Sequence, residues 1–438
     1  MRSKILLAAA VAAAALVSCN SEKALNPNDD NSLQLFEQSF TVLEEHEMTA
    51  DELFQQSAEA LSQYASEDMI ADLKSSFQKA NSQIEPLNET KGIVPALYKT
   101  VRVEYTTPDQ DGTPTKASAL IVYPLCKKIE KVMLINHGTQ IGFMMVPTNY
   151  TSVEAIMAAT GALCVMPDYI GLGSSKKHPD LYLNHDVHGR TSIDALLALL
   201  DYAKAKRLPL DSNYKTTILG YSQGGSVSLA SLRRVQQLDK ATQDRIRLEQ
   251  VYCGDGPYDL RRTFKTYMED YKAGKKMGLG SVIPLVINSM FNSYPSEMEG
   301  IRYEDFFTAE TLKTGVPQAI RANSEGILDM IVKLNGKNLD QILNLPYLEA
   351  NPEHLERLLG LMDRQNLCKG WKPEYKLHLM HCNPDGVVPF SNFEEAVELL
   401  SNDKVTTQVV NINTKLLSEP LLQHIYGMLV MMEQILLK

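Results

Sequence analysis

At 438 residues, with 44% hydrophobic and 22% charged side chains, the chain is long enough for one large domain with an insertion or for two domains, and its composition excludes a disordered or fibrous protein. The formal net charge is −10, and it is unevenly placed: residues 19–90 hold fifteen acidic side chains against three basic ones, whereas the chain beyond residue 90 is balanced at 38 of each. An acidic leader on a neutral body lacks the basic face that nucleic-acid binding needs.

The chain begins with Arg2 and Lys4, followed by an Ala/Leu/Val run from Ile5 to Val17. Thirteen apolar residues fall short of the ~20 that a bilayer crossing needs, so the pattern predicts a signal peptide over residues 1–18. Its end, Leu16-Val17-Ser18-Cys19, resembles the lipobox of bacterial lipoproteins. That resemblance implies lipidation of Cys19, a membrane anchor and a place in the bacterial cell envelope. Residues 19–32 are polar without apolar period and read as a tether. Five other cysteines remain, with no C-x-x-C spacing, and Cys164 and Cys253 sit in apolar runs typical of buried thiols.

Residues 33–97 read as an N-terminal helical extension. Thr49-Ala50-Asp51-Glu52 is a capping-box pattern, and Leu53, Phe54, Ala58, Leu61 and Tyr64 recur at helical spacing. Ile70, Leu73 and Phe77 repeat the pattern after a second cap at Ser66. From residue 98 the period changes to that of strands. Residues 101–105 and 119–123 flank a turn at Asp109-Gln110-Asp111-Gly112 and predict an antiparallel pair. The later runs at 132–135, 163–166, 217–219, 377–380 and 405–410 are short and continuously apolar, with helical stretches such as 151–160 and 190–205 between them. Strands buried on both faces with helical crossovers predict an α/β fold with a mostly parallel sheet.

Residues 258–370 carry no strand signal and are rich in large apolar residues, among them Met277, Leu279, Ile283, Leu285, Ile287, Met290, Phe291, Ile327, Met330, Ile331, Leu339, Ile342, Leu343 and the Leu355–Met362 cluster. They read as a helical cap inserted between two sheet strands, over the carboxyl edge where open α/β sheets bind ligands. The two sheet segments that flank it are 98–257 and 371–438.

The stretch Thr217-Ile218-Leu219-Gly220-Tyr221-Ser222-Gln223-Gly224-Gly225 ends an apolar run in small residues around one serine. It reads as a strand, a sharp turn and a helix: the turn holds the Ser222 hydroxyl in the open and sets the Gln223 amide at a helix N-terminus, which favours an anion. A serine hydroxyl needs a base and an acid that orients the base. Asp385 lies in the Pro/Gly turn after strand 377–380, and His424 follows the last strand, so Ser222, Asp385 and His424 could meet at one edge of the sheet.

On His137-Gly138-Thr139, Pro167-Asp168-Tyr169-Ile170-Gly171-Leu172-Gly173-Ser174, Gly220-Tyr221-Ser222-Gln223-Gly224, Asp385-Gly386-Val387-Val388-Pro389 and His424, the chain resembles the serine α/β-hydrolases, and within them the secretory lipase and esterase group. The resemblance covers about residues 98–438. It implies the α/β-hydrolase fold with helices on both faces of the sheet, and cleavage of small-molecule or lipid esters through an acyl-enzyme without metal or organic cofactor. It further implies Ser222 as nucleophile, His424 as general base and then acid, and Asp385 as orienting carboxylate. The oxyanion hole falls on the backbone N–H groups of Gln223 and Thr139.

Other residues compete for these roles. His137 and His381 also stand at strand ends, and Asp255 and Asp259 follow the strand before the cap. Asp168 reads as a brace for the Gly171–Gly173 loop, and His178, His185 and His188 as a solvated loop rather than a metal site. Two other functions remain open at this point: a serine peptidase of the same fold, and a non-catalytic surface scaffold.

Overall fold

The computed structural model describes residues 40–438 apart from 60, 62–64, 88–95, 141–145, 150, 276–277, 324–331, 335 and 416. The signal peptide, the tether, Cys19, Tyr64, Met277, Ile327, Met330 and Ile331 therefore lie outside the described residues. A nine-stranded sheet organises the rest, in the order β1-β2-β3-β5-β4-β6-β7-β8-β9. The strands are β1 (Thr41–Thr49), β2 (Leu97–Pro108), β3 (Pro114–Pro124), β4 (Ile129–Asn136), β5 (Ala162–Pro167), β6 (Leu210–Tyr221), β7 (Leu248–Gly254), β8 (Lys376–Asn383) and β9 (Val405–Asn411). The first three pair antiparallel and β3 meets β5 antiparallel, while every pairing from β5 across to β9 is parallel.

The central strands are buried on both faces because their side chains divide between two cores. Val132 and Leu134 of β4 with Leu163 and Val165 of β5 join one core. Met133 and Ile135 with Cys164 and Met166 join the other. Against the first pack helices α3 (His185–Ala205) and α4 (Gln223–Gln237). Against the second pack a 3₁₀ helix (Val153–Thr160), the extension helices α1 (Ala50–Glu59) and α2 (Glu67–Asn81), and the C-terminal helix Pro420–Leu436. The extension is thus part of the body: Leu53, Phe54, Leu73 and Phe77 are buried with Met432 and Leu436. Both caps form as the sequence predicts, with Thr49 N donating to Glu52 at 2.7 Å, Glu52 N to Thr49 Oγ1 at 3.2 Å, and Met69 N to Ser66 Oγ at 3.3 Å.

Two elements differ from the sequence reading. The extension is not wholly helical, because Thr41–Thr49 forms edge strand β1 against β2. Its polar string Glu44, Glu45 and Glu47 is stabilised by Arg102 and Lys99 on the partner strand, at 2.7 Å to Glu44 and 3.0 Å to Glu45. At the other edge β9 is largely exposed rather than doubly buried. Its apolar Val409 faces solvent at 39% exposure.

Between β7 and β8 the described chain is helical: α5 (Lys240–Ile246) precedes β7, and then come α6 (Leu260–Lys272), α7 (Val282–Ser293), α8 (Ala309–Lys313), α9 (Val316–Arg321), α10 (Leu339–Ile342), α11 (Leu345–Ala350) and α12 (Pro352–Arg364). These elements share a core of their own, in which Met290, Phe306, Ile342 and Leu358 have no exposed surface. Helices α13 (Ser391–Leu400) and α14 (Pro420–Leu436) complete the fold. Sheet, extension and cap belong to one compact unit, Gln38–Lys438. Among the described residues no helix is long and apolar enough to cross a membrane.

Candidate active site

The turn from β6 into α4 holds Ser222 at φ 60°, ψ −125°. A non-glycine residue at positive φ costs on the order of 1–3 kcal/mol, and the surroundings must hold it there. Two glycines make that possible. A Cβ on Gly220 would stand 2.2 Å from Gly224 O, and one on Gly224 would stand 1.9 Å from Asn136 O. Strand β6 and helix α4 therefore meet at a distance that no side chain tolerates, which lifts Ser222 out of the corner. Ser222 N donates to Gly254 O at 2.9 Å, tying the turn to β7. Gln223 opens α4, so its N–H belongs to the first turn, where helices leave donors unpaired.

Asp385 and His424 come together from the end of β8 and the first turns of α14. His424 Nδ1 and Asp385 Oδ2 are 2.6 Å apart, and the Asp385 side chain is fully buried at 0% exposure. Burial works to raise the Asp385 carboxyl, but the His424 imidazole outweighs it and holds the group well below the usual carboxylate range. Donation from Val387 N at 2.7 Å and Val388 N at 3.0 Å to Oδ1 fixes the carboxylate in its turn. The other imidazole nitrogen, Nε2, is buried and makes no hydrogen bond within the protein. It is thus free to exchange a proton with a reacting group. The Tyr221 ring, on the residue before Ser222, lies 5.0 Å from the imidazole centroid and limits its tilt.

Thr139 follows β4 on the same edge and lines the same pocket as Ser222. Its hydroxyl is paired with Tyr182 OH at 2.8 Å, which positions the loop.

Of the competing residues, His137, His381, Asp259 and Asp168 are engaged in other bonds, whereas Asp255 lies 3.9 Å from His424 Nδ1. His137 is fully buried, bonds Gly138 O at 2.7 Å through Nδ1, stacks on Tyr169 and is pushed down to about 4 by burial. His381 bonds Val388 O at 3.1 Å and is likewise lowered to about 4 by burial. Asp259 caps α6, accepting from Arg262 N at 2.9 Å. Asp168 ties β5 to its neighbours, bonding Ser118 Oγ at 2.5 Å and Thr148 N at 3.0 Å.

The solvated-loop reading fails for His185 and His188, while His178 does stand in a loop, with its side chain 37% exposed. Asn184 caps α3 by accepting from Val187 N, and His185 and His188 lie buried on that helix. His178 pairs with Asp109 at 2.6 Å, so the three do not converge. Among the described residues, Asp255, Asp385 and His424 are the grouping of metal-ligand type whose atoms lie within 4.8 Å of one another. Donors on one ion at ~2.0–2.1 Å from it stand ~3 Å or more apart. The 2.6 Å His424–Asp385 contact is a hydrogen bond and leaves no room for a shared ion.

A pocket with an empty volume of ≈ 530 Å³, its open mouth included, lies over Ser222 and Thr139. Pro257, Leu260, Phe264 and Tyr267 line it from α6 and the residues before it, Val282, Ile283, Val286 and Met362 from α7 and α12, and Tyr182, Leu183, Val387 and Val388 from loops. Met362 belongs to the apolar cluster that the sequence set over the site, but Met290 and Phe291 are spent in the cap's own core. Tyr182 and Leu183 fall in the stretch that reads as a solvated loop, and their apolar side chains next to the histidines were the available signal.

The chain matches no family model and no curated sequence. Solved structures do match. The rice cell wall degrading esterase LipA of Xanthomonas oryzae aligns over 90% of this chain and 97% of its own, with TM-score 0.66 and 17% identity. A proposed hydrolase of Legionella pneumophila covers 91% and 97%, with TM-score 0.62 and 18% identity. Candida antarctica lipase A in its closed state covers 85% and 77%, with TM-score 0.51 and 13% identity. The chain has the α/β-hydrolase fold. In this fold β6 to β9 of the present chain bring successive strand ends to one edge, and Ser222, Asp255, Asp385 and His424 follow β6, β7, β8 and β9 in that order.

Proposed function

We propose that the protein is a serine esterase that cleaves carboxylic esters through an acyl-enzyme. The observation that carries this reading is the His424–Asp385 hydrogen bond of 2.6 Å combined with a buried, unpartnered His424 Nε2, at the sheet edge where Ser222 stands in its strained turn. Ser222 Oγ attacks the ester carbonyl while its proton passes to His424 Nε2, and the imidazolium is stabilised by Asp385. The N–H groups of Gln223 and Thr139 receive the oxyanion. Collapse of the tetrahedral intermediate expels the alcohol, which takes the proton from His424; water then repeats the sequence and releases the acid. That three similar folds carry the names esterase, hydrolase and lipase supports the reaction class.

The substrate's acyl part is read from the pocket. Its polar side chains have their tips turned to the protein: Tyr182 to Thr139, Tyr267 to Val387 O at 2.5 Å, and Thr263 to Asp259 O at 2.7 Å. What remains for a ligand is aliphatic and aromatic wall. Each buried methylene contributes ~0.8 kcal/mol, a factor of several in affinity. On p-nitrophenyl esters we expect kcat/KM to rise from acetate to butyrate or hexanoate, with dipeptide amides hardly cleaved. A flat or falling series would remove the apolar pocket from the argument, and equal turnover of amides would favour a peptidase.

We further propose an envelope enzyme anchored through a diacylglycerol on Cys19, on the strength of the Leu16–Cys19 pattern. Mass spectrometry of the mature N-terminal peptide is expected to begin at a lipid-modified Cys19. An unmodified peptide, or one beginning elsewhere, refutes the anchor.

A further inference from the structure

Asp255 lies against this site and has no part in the reaction as written above. It follows β7 with φ 41°, and its side chain has 0% exposure. Oδ2 accepts from Tyr221 OH at 2.5 Å and Oδ1 from Cys382 N at 3.0 Å. Oδ2 is also 3.9 Å from His424 Nδ1, the nitrogen that Asp385 engages at 2.6 Å. A second carboxyl group is thus within ~1.5 Å of replacing the first, from the neighbouring strand end.

The groups that face Asp255 decide its charge. They are Tyr221 on β6, Tyr258 after β7, His381 and Cys382 on β8, Asp385 in the turn after β8, and His424 on α14. Burial keeps Tyr221, Tyr258 and Cys382 neutral by raising them, and keeps His381 neutral by lowering it. His424 is the remaining source of positive charge among them, and it is already paired with Asp385. Two carboxylates sharing so small a dry space repel, so one takes a proton. Asp385 has two backbone N–H donors and the imidazole, which favour its ionised form. Burial first, and then the Asp385 charge, raise Asp255 well above the usual carboxylate range.

We propose that His424 is backed by two carboxyl groups carrying one proton and one negative charge between them, with Asp255 as a positioning residue that holds the proton beside Asp385 and becomes the imidazole's carboxylate partner when Asp385 is removed. In the second state Asp255 releases its proton to solvent, and its Oδ2 accepts the Nδ1–H that Asp385 has given up. The inference rests on the esterase reading above.

The test compares Asp255→Asn, Asp385→Asn and the double variant, each checked for folding by its thermal midpoint, with kcat/KM on p-nitrophenyl butyrate measured against pH. Asn mimics the protonated acid, so Asp255→Asn should lose about tenfold. Asp385→Asn should lose about 10²–10³, and the double variant about 10⁴, the size of loss that a triad acid's replacement by Asn can bring. The residual activity of Asp385→Asn should need the ionisation of Asp255, moving its acid limb to higher pH than in the wild type. A residue with only a structural role would not move that limb. An Asp385→Asn variant as inactive as the double variant overturns the proposal, as does an Asp255→Asn variant that loses as much as Asp385→Asn. If Asp255→Asn does not fold, infrared titration of wild type against Asp385→Asn replaces it. A protonated carboxyl band that titrates at lower pH without Asp385 is expected, and identical titrations in the two proteins overturn the proposal. Ser222→Ala separates the two levels: if it stays active the esterase reading fails, and if it is inactive while Asp385→Asn equals the double variant only the two-carboxyl unit fails.

Discussion

Ser222→Ala should lose kcat/KM on p-nitrophenyl esters by 10⁴ or more and should no longer react with a fluorophosphonate probe that labels the wild type. Removing the nucleophile of a Ser/His/Asp set typically costs ~10⁶ in kcat, leaving only what the oxyanion donors and binding supply. The variant should keep its fold, since the Ser222 hydroxyl makes no contribution to the turn comparable to the Gly220–Gly224 approach and the Ser222 N to Gly254 O bond of 2.9 Å. Alanine inherits the same φ of 60°, so the strain is neither relieved nor increased. A thermal midpoint near that of the wild type, together with absent labelling, would assign the chemistry to Oγ. Labelling that survives in folded Ser222→Ala would mean that another serine reacts, and the whole scheme built on His424 would go with it.

The placement of the candidate site residues was more legible in the sequence than the pocket, for a physical reason. Strand ends at one sheet edge are fixed by β4, β5, β6 and β8, whose burial on both faces writes continuous apolar runs into the chain. Once the runs are found, Thr139, Ser222 and Asp385, which come within three residues of the ends of β4, β6 and β8, are placed by topology, while His424 lies further on, in the helix after β9. The pocket wall has no such rule. A cap helix has one face consumed by its own core and another left for ligand, and the sequence of α7 is apolar on both. Met290 went to the core, whereas Val282 and Ile283 belong to that core and also line the wall, and Val286 packs against the core from the wall. The sheet's edges failed for the opposite reason. Strand β1 is charged along its exposed side and is held by Lys99 and Arg102 across the ladder, so its alternation was hidden. Strand β9 carries valines that suggest a covered strand where the fold leaves it open. Asp255 was visible as an acid at a strand end, but sequence could not tell that it shares a dry site with Asp385.

Gly224→Ala should be among the most damaging one-carbon changes in the protein, although it touches no reacting atom. The added Cβ would lie 1.9 Å from Asn136 O, 2.7 Å from Asn136 C and 2.9 Å from His137 O, all backbone atoms at the end of β4. Backbone cannot rotate away as the end of a flexible side chain can, so either α4 retreats from the sheet or the end of β4 shifts. Overpacking of this kind typically costs ~1–3 kcal/mol and sometimes more. The second consequence is chemical. Asn136 and His137 lead directly into Gly138 and Thr139, so any shift that accommodates the methyl group moves the proposed oxyanion donor, Thr139 N–H, relative to Ser222. Displacement by ~1 Å can cost ~10² in rate even in a protein that stays folded. We therefore expect a lower denaturant midpoint and, in whatever fraction is folded, a fall of about 10² in kcat/KM. Gly360→Ala provides the matched control: it sits within α12, has nothing within 4 Å of its added Cβ, and is not at positive φ. There the same methyl group should stabilise by ~0.5–1 kcal/mol, because alanine loses less backbone freedom than glycine in a helix. If Gly224→Ala matched Gly360→Ala in both stability and turnover, the close approach of α4 to β4 would not be what holds the Ser222 turn.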